Sequence, residues 1–170
     1  MKFVINSNIW VVINIDKGFH TVKGYEMINI KKSLLTPSME DYLEMIYRCS
    51  LENNYIRLNI IAQKLNVKDS SASKMMKKLG EISLINYEKY GLISLTDKGR
   101  KLGLFLYERH NIIEEFLGNI TEKNNILLET ELIEHVISID TVNDLKIFNE
   151  FIKAYPDILD KYLEFKNNNI

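Results

Sequence analysis

Between Ser38 and Leu95 the apolar residues follow one restrictive order: helix, short helix, turn, helix, then a two-stranded hairpin. Met39, Tyr42, Leu43, Ile46 and Tyr47 recur at three- and four-residue spacing, which predicts a first amphipathic helix. Thr36-Pro37-Ser38 supplies its start, with Ser38 as the expected cap. Leu58 to Leu65 reads as a second helix with Ile61, Ala62 and Leu65 inward. After the turn Asn66-Val67-Lys68-Asp69, a third helix is expected from about Ser71 to Glu81, capped by Asp69 or Ser70. Its inward face is Ala72, Met75, Met76 and Leu79. Ile85–Glu88 and Leu92–Leu95 are β-prone runs around the Gly-containing turn Lys89-Tyr90-Gly91. This order is that of a winged helix-turn-helix, in which one helix buries one side and offers the other to the DNA major groove.

The remainder predicts more helices. One starts at Thr96-Asp97-Lys98-Gly99 and runs to about Leu117; others cover about Leu127–Ser138, Val142–Ala154 and Asp157–Phe165. The expected class is therefore mainly α: a winged helix-turn-helix at 36–97, an all-helical domain at 98–155, and a C-terminal helix and tail at 156–170. Residues 1–35 read as a weakly ordered extension. Lys23-Gly24 implies a purine-rich codon pair two codons before Met27, the layout of a ribosome-binding site. Translation is accordingly expected to start at Met27, the alternative being a genuine N-terminal arm.

Charge separates the two halves. Residues 68–109 carry nine basic and five acidic side chains, whereas residues 110–170 carry five and twelve. The basic middle suits a polyanion. On the third helix Ser70, Ser71, Ser73, Lys74, Lys77 and Lys78 face outward, and Lys89 stands on the wing. Short hydroxyls can reach base edges or phosphates, and lysines can pair with phosphates. No run of about 18 apolar residues exists to form a membrane helix, and the single Cys49 can form no internal disulfide. A reducing cytoplasm is the expected compartment, and Cys49 reads as packing.

The acidic half carries a second chemistry. Glu131, Glu134 and His135 stand at i, i+3 and i+4, one face of a helix; Asp41 and Glu44 repeat the i, i+3 spacing, and the long helix offers His110. Four carboxylates and two imidazoles suit Mn(II) or Fe(II), whereas thiolates would favour zinc or copper. Spacing alone leaves a solvated helix face as the commoner explanation of each set.

Several motifs in order join the two chemistries. Thr36 to Tyr47 (TPSMEDYLEMIY), Asp69 to Met75, Tyr87 to Tyr90, Leu95 to Gly99, Arg109-His110 and Glu131 to His135 together resemble the diphtheria-toxin-repressor family, most closely its manganese transport regulator branch. The resemblance spans roughly Leu35 to Ala154. It implies a homodimeric, metal-activated repressor that binds palindromic double-stranded operator DNA and controls metal uptake genes. The implied ligands are Asp41, Glu44, His110, Glu131, Glu134 and His135, holding two Mn(II) per subunit, with Fe(II) as a possible activator. In the iron-responsive branch Met typically stands at the position of Asp41 and Cys at that of Glu131, so oxygen at both points to manganese. That branch also has an ancillary site. His110 and Glu114 have its spacing, but Leu127 stands where a third ligand is expected, so the site is not expected here. An iron-dependent repressor is the nearest alternative. A carboxylate-bridged two-metal enzyme is a more distant one, because the chain lacks paired Glu-x-x-His motifs, a phosphate loop and a nucleophile–base motif. No enzyme activity is expected.

Overall fold

A computed structural model describes residues 35–121 and 125–169. The expectations for the N-terminal extension and for Met27 lie outside the described residues. Helix α1 (Pro37–Ser50) starts with proline at its first turn, where the missing N–H costs no intrahelical bond. Its cap is not Ser38. Thr36 stays extended and its carbonyl accepts from the Met39 and Glu40 amides. Leu43 and Ile46 on α1 are completely buried, each contributing about 1.5–3 kcal/mol by leaving water.

Ile56–Arg57, too short to carry a strand signal in the sequence, form strand β1. Helix α2 (Leu58–Lys64) follows directly and buries Ile61 and Ala62. Asn66 then takes a left-handed φ of 52°, and the Val67 amide closes back on Ala62 O. Helix α3 (Asp69–Glu81) begins at Asp69 with Lys68 as the extended cap residue, so neither Asp69 nor Ser70 is the cap. Ala72, Met76 and Leu79 are buried, and Met75 is half-buried. Strands β2 (Ile85–Tyr87) and β3 (Leu92–Leu95) are joined through a 3₁₀ turn at Lys89–Gly91. There Tyr90 and Gly91 both have left-handed backbones. The sheet is antiparallel in the order β1-β3-β2, with Ile56 opposite Ile93 and Ile85 opposite Leu95.

Helix α4 (Asp97–Ile120) runs three residues beyond its expected end. Thr96 Oγ1 caps it by accepting from the Gly99 amide, and donates to the carbonyls of Ser83 and Leu84. Gly103 lets α1 approach: a Cβ there would stand 2.7 Å from Tyr47 Cβ. Helices α5 (Ile126–Ile133), α6 (Ile139–Ala154) and α7 (Pro156–Asn167) complete the fold. Helix α4 links the two apolar clusters. Leu106 belongs to the core of the winged helix, while Ile113 and Leu117 pack with Val142 of α6. Among the described residues no helix is long and apolar enough to cross a membrane. Cys49 is buried, and burial pushes its thiol pKa up, which suits packing rather than reactivity.

Candidate metal centre

Three helices bring all six expected ligands to one region. Helix α1 supplies Asp41 and Glu44, α4 supplies His110, and the end of α5 supplies Glu131, Glu134 and His135. Asp41, Glu134 and His135 form one group whose ligand atoms lie within 4.8 Å of one another; Glu44, His110 and Glu134 form a second. Glu134 is common to both. His110 Nδ1 lies 2.8 Å from Glu134 Oε2 and 3.8 Å from Glu44 Oε1. His135 Nε2 lies 2.9 Å from Asp41 Oδ1 and 3.6 Å from Glu134 Oε1. Glu131 stands at the rim, half exposed, with Oε1 3.8 Å from His110 Nδ1.

The helix carrying the last three ligands is shorter than its spacing implies. It ends at Ile133, Glu134 is its C-cap residue, and His135 lies in the turn beyond. The face persists because Glu134 keeps right-handed helical angles (φ −60°, ψ −26°) and its amide still bonds to Thr130 O. Buried Thr130 anchors the inner side by donating its hydroxyl to Ile126 O.

The donor set fits a hard divalent cation. Asp41 Oδ1 and His110 Nε2 are buried without a hydrogen-bond partner. His135 Nε2 and Asp41 Oδ1 converge to 2.9 Å on the space between α1 and the end of α5. All donors are oxygen or nitrogen. The electrostatics of the cluster agree with this donor set. Burial, and then the Glu134 carboxylate, hold the Glu44 and Glu131 pKa values above the ordinary carboxylate range. Asp41 is likewise raised, chiefly by burial, although His135 opposes the shift. For His110 burial works downward, but the Glu134 hydrogen bond and the Glu44 and Glu134 charges outweigh it and raise the pKa.

Three supporting residues were not legible as site residues. Glu40 Oε2 accepts from Arg109 Nη2 at 2.9 Å and lies 2.9 Å from His135 Nδ1. If Nδ1 carries the proton, it donates to Glu40 and leaves the Nε2 lone pair facing Asp41 and Glu134, the usual carboxylate–histidine–metal arrangement. Glu40 gave no periodic signal, being merely adjacent to Asp41. Arg48 donates twice to Glu44 Oε1. That pairing did have a sequence signal, a glutamate and an arginine at i, i+4. His110 Nε2 and Glu114 Oε2 approach to 3.8 Å, while Leu127, where a further ligand would be needed, is exposed and offers no donor.

On α3, Ser70, Ser71, Lys74, Lys77 and Lys78 are exposed as expected. Ser73 is different: it is half-buried, its Oγ 3.2 Å from the Tyr87 hydroxyl on β2. This contact tethers the wing to α3. Lys89 sits in the wing turn, its side chain outside the described residues.

Comparison with known proteins agrees with this geometry. Residues 34–92 match the N-terminal DNA binding domain of the iron dependent repressor family, and residues 96–162 match its metal binding and dimerisation domain. This chain belongs to the iron-dependent, or diphtheria-toxin, repressor family. Within the family it is 39% identical over 127 residues to the HTH-type transcriptional regulator MntR of Lysinibacillus sphaericus (strain C3-41), covering 74% of this chain and 91% of the relative. It is 46% identical over 114 residues to the regulator of the same name from Geobacillus kaustophilus (strain HTA426), covering 65% and 81%. The solved manganese regulator SloR superposes with a TM-score of 0.60 at 36% identity, over 69% of this chain. The metal-dependent transcriptional regulator MtsR gives 0.61 at 31%. The chain spans only 55% of each of those two solved chains. Like these relatives, this family member is a transcriptional regulator and not an enzyme. Within its dimerisation-domain match, Leu127, Leu128, Leu132 and Val136 are all more than half exposed, an apolar patch of the kind that marks an interface.

Proposed function

We propose that this chain is a manganese-activated transcriptional repressor that binds a palindromic operator as a homodimer and controls metal uptake genes. The observation that carries the reading is the split ligand set. Asp41 and Glu44 belong to the winged helix, whereas His110, Glu131, Glu134 and His135 belong to α4 and α5. All six serve as ligands in this reading, for two ions per subunit. When bound, a divalent ion supplies the positive charge that lets four carboxylates lie together. The residues then act as a clasp. Asp41 and Glu44 hold α1 against α4 and α5, and α1 carries the core on which α3 rests.

Fixing α1 fixes the separation of the two α3 helices in a dimer. Successive major grooves on one DNA face are about 34 Å apart, so only one arrangement engages both. The clasp must favour that arrangement over the open one; equal affinity for both would shift nothing. On the DNA face, Ser70 and Ser71 are placed for bases or phosphates, and Lys74, Lys77 and Lys78 for phosphates, with Lys89 on the wing. Ser73 acts through its contact with Tyr87.

The test is fluorescence anisotropy with a labelled palindromic DNA from the upstream region of the gene, titrating Mn(II), Fe(II) and Zn(II). Manganese is expected to switch binding on, and EDTA to reverse it. Tightest activation by Fe(II) would assign the chain to iron sensing instead. Equal binding with and without metal would refute the clasp.

A further inference from the structure

The second ligand group already holds a cation of the protein's own. Arg48 Nε and Nη2 both donate to Glu44 Oε1, the Nε bond at 2.9 Å. This is the oxygen that faces His110 Nδ1 at 3.8 Å. The guanidinium also lies 5.4 Å from the centre of the Tyr107 ring, so it is gripped from two sides. Yet Arg48 is about a third exposed, while Glu44 is buried. The arginine therefore closes the solvent side of the Glu44–His110–Glu134 group.

Charge makes the consequence specific. Asp41, Glu44, Glu131 and Glu134 carry four negative charges when ionised, which two divalent ions cancel. Arg48 adds a further positive charge, and its guanidinium cannot lose its proton. Among the described residues no carboxylate of the first group is held this way: its neighbouring cation, Arg109, is paired with Glu40, a carboxylate outside the four, and reaches the group only at His135 Nδ1, 3.5 Å away.

We propose that Arg48 is an internal counter-cation for Glu44 that makes the two metal positions unequal. The Asp41–Glu134–His135 position fills first, and the Glu44–His110–Glu134 position fills only when Arg48 releases Glu44. Tyr107 gives the released guanidinium a surface to rest on at the solvent edge. Arg48 thereby sets the concentration at which the second ion enters. This inference rests on the manganese reading above.

The experiment is a Mn(II) titration of the full chain, following the six-line EPR signal of free hexaaqua Mn(II). Wild type, Arg48→Met and Arg48→Lys are compared, with circular dichroism to establish folding. Wild type is expected to bind in two steps, the second weaker by about tenfold or more. Arg48→Met tightens the second step by about tenfold and changes the first far less. Arg48→Lys falls between, because lysine keeps the charge but loses the fork. It carries the comparison alone if the methionine variant does not fold. An unchanged or weakened second step in the folded variants would overturn the proposal, as would two equal steps in wild type. Wild type that binds no Mn(II) would instead remove the manganese reading, and this inference with it.

Discussion

Replacing Gly99 by alanine tests how tightly the winged helix is joined to the long helix. A Cβ at Gly99 would stand 2.8 Å from the carbonyl carbon of Leu84 and closer still to its oxygen. Carbon–carbon contacts settle at about 3.5–4.0 Å, so Leu84 must move by about 0.7 Å or more. Leu84 O accepts from Thr96 N and Thr96 Oγ1, both at 3.1 Å, and the displacement lengthens both bonds. Two weakened hydrogen bonds cost about 2 kcal/mol, and overpacking about 1–3 kcal/mol. Helix propensity returns about 1 kcal/mol, leaving a net loss of roughly 2–4 kcal/mol. For a chain of this size that lowers Tm by about 10 °C. Gly118 is the control. It lies on the same helix, is exposed, and a Cβ there meets nothing within 4 Å. Gly118→Ala should therefore gain about 1 kcal/mol. Thermal melts of the metal-free protein read both. A Gly99→Ala variant as stable as Gly118→Ala would refute the reasoning, because it would mean that the junction yields without cost.

Other perturbations address the metal centre and the DNA face. Glu134→Gln removes the carboxylate shared by both ligand groups, so the stabilisation by Mn(II), about 2.7 kcal/mol for one site at a hundredfold excess over Kd, should vanish from melts. Glu40→Gln should weaken Mn(II) binding by about tenfold while the melt of the metal-free protein changes little; unchanged affinity would deny Glu40 any part in orienting His135. In the metal-free protein Asp41, Glu44, Glu131 and His110 are all raised, so the folded state binds more protons than the unfolded one. Their contribution is greatest at low pH and declines as pH rises above the ordinary carboxylate values near 4 and, for His110, above 6.5. Tm without metal should thus fall between pH 5 and 8, whereas the Mn(II)-induced rise in Tm should grow, because ligands bind deprotonated. Replacing Lys77 and Lys78 together by alanine should weaken DNA binding across sequences and reduce the salt slope by about two. A sequence-selective loss with an unchanged slope would place them on bases.

The winged helix was legible because its helices are amphipathic: Met39 to Tyr47 and Ala72 to Leu79 carry the period in their apolar residues. Strand β1 was not, since Ile56–Arg57 is too short for alternation and exists only through pairing with β3. Spacing extends α5 too far because Glu134 and His135 continue its period after its last regular turn. Ligand types and spacings could be read locally, but their convergence could not. Glu40 meets Arg109 across 69 residues and His135 across 95, separations about which a local pattern is silent. Helical period places Ser73 outward because it distinguishes inside from outside and carries no signal of a wing folded over one edge.

Helix α5 leaves little freedom for drift. In eight residues and the turn that follows, Thr130 is committed to the core, Glu131, Glu134 and His135 are the proposed ligands, and Leu127, Leu128, Leu132 and Val136 are exposed apolar side chains. A change that retunes metal affinity here acts one residue away from the surface on which another subunit would rest. Adaptation of the sensor to a different metal concentration is therefore easier from outside this segment, at positions such as Arg48 and Glu40, which contact Glu44 and His135 from α1.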